Sequence, residues 1–112
     1  PLFVMSAKSN AKSETTLVST YTGRDAMELI YSLSREVPYE RLANELVKAG
    51  YNKLSDNEFG FENEDNKYLV MKFTEEDNLI RALVKVYKDT DRDQVETQYE
   101  SLFPWLGRGI LK

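Results

Sequence analysis

Four carboxylates stand at suggestive intervals late in the chain: Asp89, Asp91, Asp93 and then Glu100. They fall on the first, third, fifth and twelfth positions of a calcium-binding helix–loop–helix motif, whose oxygens would wrap a hard cation. The positions between them disagree with that chemistry. Gln94 replaces the glycine of the sharp turn, Glu96 takes a usually apolar position, and the segment before Asp89 alternates like a strand. The pattern reads better as the acidic start of a helix. Asp91 and Gln94 would form a capping pair there, and the carboxylates would offset the positive end of the helix dipole.

Other chemistry is narrowed by omission. The 112 residues include no histidine and no cysteine, the side chains that most often run acid–base catalysis near neutral pH, act as thiolate nucleophiles or hold zinc. Carboxylates, tyrosines, lysines and hydroxyls remain, but no spacing singles out a catalytic pair. No nucleophile elbow, phosphate-binding glycine loop or dinucleotide fingerprint accompanies them. The sequence therefore predicts a binding protein, not an enzyme, with no cofactor and no metal.

Three surface constellations are the binding candidates. On adjacent strands, Tyr68, Val70 and Lys72 would stand beside Arg81, Leu83, Lys85 and Tyr87. Aromatics among cations can stack bases and neutralise phosphates, so Tyr68, Lys72, Arg81, Lys85 and Tyr87 form the candidate site for an anionic ligand or single-stranded nucleic acid. The absence of an RNP-type motif and the bordering Glu58 and Glu62 favour a protein contact or an ordinary amphipathic face. A second constellation follows from topology, because alternate turns of an antiparallel meander lie at one end of the sheet. Glu62, Glu64 and Asp65 should then neighbour Asp89, Asp91 and Asp93, making a negative end suited to a basic partner. The third is Phe103-Pro104-Trp105-Leu106, large apolar residues around a helix-breaking proline. Trp105 would be an interface anchor or a plug closing the core, and the plug is the commoner role of a lone tryptophan.

These residues need elements to hold them. Residues 6–16 lack any period and read as part of a flexible lead-in over 1–15, ahead of a single domain over 16–112. Residues 16–21 are rich in β-formers and suggest an edge strand. Thr22 with Asp25 then resembles a capping box, and Ala26, Ile30, Leu33 and Val37 recur at helical spacing, predicting a helix over 23–36. Pro38 should stop it. A second helix is predicted over 39–49, with Tyr39, Leu42, Ala43, Leu46 and Val47 inward and Gly50 as a left-handed cap.

From Glu58 the period changes to two. Phe59 and Phe61, then Leu69, Met71 and Phe73, then Ile80, Ala82, Val84 and Val86 share one face of successive strands joined by polar turns at 62–66 and 75–78. Residues 51–56 suggest a further strand. A last helix is predicted over 92–102, with Val95, Tyr99, Leu102 and Phe103 inward. The fold class is thus α+β: an antiparallel meander of three to five strands, one face covered by two N-terminal helices and a C-terminal helix.

Charge sets the character of the partner. The net charge is −4, and residues 1–57 are balanced at seven basic and seven acidic, whereas 58–112 carry eight basic and twelve acidic. An acidic protein repels phosphate backbones at long range, which lowers the case for nucleic acid. No apolar run reaches the roughly 18 residues of a membrane span. The opening Pro1-Leu2-Phe3-Val4-Met5 reads as an expression remnant or simple tail ahead of a signal-peptide remnant, for which Ser9 and Ala11 have cleavage spacing. A cytoplasmic setting is favoured over export. The expected function is a small non-catalytic domain that binds another protein as regulator, inhibitor, chaperone or adaptor.

Overall fold

A computed structural model describes residues 4–6, 14–63 and 66–106. Five strands form an antiparallel meander: β2 (Asn52–Ser55), β3 (Glu58–Glu62), β4 (Tyr68–Glu76), β5 (Leu79–Tyr87) and β6 (Val95–Pro104). A short strand β1 (Val4–Ser6) pairs with β6 through Gln98–Glu100, so the sheet order is β1-β6-β5-β4-β3-β2. The helices are α1 (Glu14–Glu36) and α2 (Leu42–Lys48), separated by a 3-10 turn over Tyr39–Arg41.

The α+β class and the meander agree with the sequence, and β2 lies within the stretch 51–56. The core is the expected alternating set apart from Phe61, which is half-buried. Phe59, Leu69, Met71, Phe73, Ile80, Ala82, Val84 and Val86 are buried under Ala26, Met27, Ile30 and Leu33 of α1 and Leu42 and Leu46 of α2. At roughly 25 cal/mol per Å² of apolar surface removed from water, this face is the main source of stability in a chain without disulfides.

The predicted C-terminal helix is not formed; its residues build β6. Two periods compete in this segment. Val95, Tyr99, Leu102 and Phe103 fit a helix face, while Thr97, Tyr99, Ser101 and Phe103 fit a strand face, and the two sets share Tyr99 and Phe103. The strand prevails because β6 completes a ladder with β5 from Leu79↔Pro104 to Tyr87↔Val95. Thr97, Tyr99 and Phe103 are consequently buried, and Leu102 is 41% exposed.

Residues 16–21, expected as an edge strand, belong to α1. The Thr22–Asp25 pair caps no helix start, since α1 begins earlier; the Thr22 hydroxyl instead accepts a hydrogen bond from the Asn63 side-chain amide at 3.1 Å. Local β-propensity yields here to the apolar face that α1 lays over β5 and β6. Gly23 sets the approach. A Cβ there would meet Tyr99 Cδ2 and Cε2 at 2.8 Å and Val86 Cγ2 at 3.3 Å.

Pro38 breaks the helical run as expected, with φ −62° and ψ 154°. α2 closes on Gly50 at φ 103°, the left-handed position the sequence assigned to it. Val47, expected inward, is exposed on α2. No helix among the described residues is long and apolar enough to cross a membrane.

Candidate binding surface on the open sheet face

The helices cover one side of the sheet. On the other, register places side chains in rows across the strands: Glu58, Lys72, Leu83 and Glu100 in one, Gly60, Val70, Lys85 and Gln98 in the next, Glu62, Tyr68, Tyr87 and Val95 in a third. The sequence-predicted face is thus brought together, and Tyr68, Lys72, Arg81, Lys85 and Tyr87 share it. A hollow of about 160 Å³ lies at its centre, floored by Val70 and Leu83 and walled by Lys72, Lys85, Tyr87, Arg92 and Glu58.

Arg92 was not foreseen. The sequence presents it inside an acidic run, but its backbone turns left-handed at φ 59°, and its amide donates to the Asp89 carbonyl at 3.2 Å. That turn brings the guanidinium back over the sheet, 5.7 Å from the centre of the Tyr68 ring. Nothing in the linear pattern marks such a reversal. Tyr68 in turn lies across Gly60. A Cβ at Gly60 would stand 2.9 Å from Tyr68 Cζ and 3.1 Å from Leu54 Cδ1.

The five predicted residues are not equivalent. Arg81 is held between two carboxylates: Nε and Nη2 donate to Glu76, the latter at 3.0 Å, and Nη1 lies 3.3 Å from Glu100 Oε2. The hydrogen bond from Arg81 keeps the Glu76 carboxyl below the usual carboxylate range. Arg81 is therefore already neutralised. Lys72, Lys85 and Arg92 form no ion pair among the described residues. The positive charge offered to a ligand sits at the hollow, one strand position or more from Arg81.

The other candidates fare differently. Trp105 is fully buried. Its ring packs edge-on against Tyr39 at 5.4 Å, Phe73 at 6.4 Å and Phe103 at 6.4 Å, and its Nε1 donates to the Val37 carbonyl at 2.9 Å. It is a plug, and with Phe103 also buried the proposed anchor surface reduces to Leu106. The Leu106 amide donates to the Ser34 carbonyl at 2.9 Å, tying the chain end to α1.

At the acidic end, Glu62 is exposed at the end of β3, whereas Glu64 and Asp65 lie outside the described residues. Asp89 accepts from the Asp91 amide at 3.0 Å and so shapes the β5–β6 turn. Asp93 is exposed beside it. Glu100, the would-be twelfth calcium ligand, sits mid-strand on β6 beside Arg81. The four carboxylates of that pattern do not converge, and no group of metal-ligating side chains is assembled among the described residues.

No protein-family model, curated protein or solved structure matches the chain.

Proposed function

We propose that this is a non-catalytic binding domain that holds an acidic segment of another protein on its open sheet face. One observation carries the reading: the cationic hollow formed by Lys72, Lys85 and Arg92 over the apolar floor of Val70 and Leu83. Carboxylates of a bound segment would face the three cations, and its apolar side chains would cover the half-buried Leu83 and Tyr87. Charge complementarity of this kind governs partner choice and encounter rate. The same geometry speaks against base stacking. The Tyr68 ring already carries Arg92, and Arg81 is committed to Glu76 and Glu100.

Fluorescence anisotropy tests the proposal at low ionic strength, with a labelled peptide of alternating glutamate and leucine beside a single-stranded oligonucleotide. The acidic peptide should bind and weaken with added salt. Lys72→Glu combined with Lys85→Glu should reduce its affinity by about tenfold or more. Binding of the oligonucleotide with none of the peptide would move the site to the nucleic-acid reading. Failure of both to bind would remove the open face as a functional surface.

A further inference from the structure

A second hollow lies on the covered side of the sheet. α1 packs over β5 and β6, and α2 packs against β2. Between them Phe61 and Leu69 help bound a cavity of about 340 Å³, whose other walls include Thr22 and Asp25 of α1, Tyr51 and Asn63. Its size falls at the small end of ligand pockets, roughly 300–1,000 Å³.

The lining selects a sign of charge. Tyr51 and Phe61 lie 5.0 Å apart between ring centres, inclined at 34°, and form a continuous aromatic wall. Aromatic faces carry negative potential and attract cations. Asp25 adds a carboxylate from α1, and none of the described lining residues is basic. Burial first and the Asp25 charge second push the Tyr51 phenol up, so the aromatic wall is neutral and the charge facing the cavity is that of Asp25. Arg24 approaches Asp25 at 3.9 Å, but both side chains are half exposed or more, and such a pair contributes little.

We propose that this cavity binds a small organic cation, a guanidinium or primary ammonium group on a short apolar stem, with the charge at Asp25 and the stem along Phe61 and Leu69. The site is on the opposite side of the sheet from the open face, so either proposal can fail alone.

The test is a titration with butylguanidine followed by amide chemical shifts. Saturable changes should be confined to the surroundings of Asp25, Tyr51 and Phe61, with Lys72 and Lys85 as unmoved reference positions. Asp25 is exposed on its helix, so Asp25→Asn should keep the fold while weakening butylguanidine by about two- to fivefold. Butylurea, neutral and of similar reach, should not saturate. A wild-type titration without saturation, equal affinity in Asp25→Asn, or equal binding of butylurea would each overturn the proposal. Phe61→Leu supplies a second check on the aromatic wall, and unchanged butylguanidine affinity in that variant would count against the proposal.

Discussion

The Lys67 ammonium donates a 2.7 Å hydrogen bond to Glu96 Oε1, and both side chains are almost wholly removed from water. A bulge turns Glu96 inward: Val86 pairs with Thr97 and Tyr87 with Val95, leaving Glu96 as the extra residue of β6. Burying two charges is expensive, so the pair is worth far more intact than halved. Lys67→Met alone should destabilise the domain by about 3–5 kcal/mol, whereas Lys67→Met with Glu96→Leu should be near neutral or stabilising. Urea unfolding of both variants checks this, and a single variant losing under about 1 kcal/mol would show the pair to be no tighter than a surface contact.

That bulge also marks where the sequence stops being legible. The strands from Phe59 to Val86 announce themselves because one residue in two is apolar and each turn is polar. Gly50 and Pro38 are equally plain, since each has a backbone reason for its position. β6 is ambiguous because Tyr99 and Phe103 satisfy both periods, and only the vacant ladder beside β5 decides between them. The open face was legible as a list of residues and not as a site. Alternation puts Lys72 beside Lys85, but no linear pattern tells that Arg81 is captured by Glu76 and Glu100 or that Arg92 folds back over Tyr68.

Gly23 lies within α1, where alanine would ordinarily add about 1 kcal/mol of helix stability. The Tyr99 ring and Val86 leave no room for the methyl group. Forcing a side chain into such a contact costs about 1–3 kcal/mol, which outweighs the propensity gain. Gly23→Ala should therefore lower the denaturation midpoint, and a raised midpoint would mean that α1 can lift from β6 freely.

Trp105 and Leu106 are neighbours with opposite roles. Trp105→Ala empties a cavity among Tyr39, Phe73 and Phe103 and abandons the Val37 carbonyl, so it should cost about 3–5 kcal/mol. Leu106→Ala leaves its backbone bond to Ser34 in place and removes a side chain that is 36% exposed; it should cost less than about 1 kcal/mol. Thermal unfolding of the two variants separates them, and similar losses would contradict the plug assignment.

Burial raises the phenols of both Tyr51 and Tyr99, with the Asp25 charge adding to each and Arg24 opposing it at Tyr99. The unfolded chain releases these protons near pH 10 and the folded chain at higher pH. Protons are thus bound more tightly by the native state in that window, so the stabilisation is intact below about pH 10 and disappears as pH rises through the folded values. Tyr51→Phe isolates one of the two groups. Tyr99→Phe would also remove the 3.1 Å hydrogen bond from its hydroxyl to the Thr20 carbonyl, mixing two effects. Urea midpoints at about pH 9 and about pH 11 should converge in Tyr51→Phe relative to the parent protein. An unchanged gap between the two pH values would show that the Tyr51 hydroxyl titrates as it does in the unfolded chain.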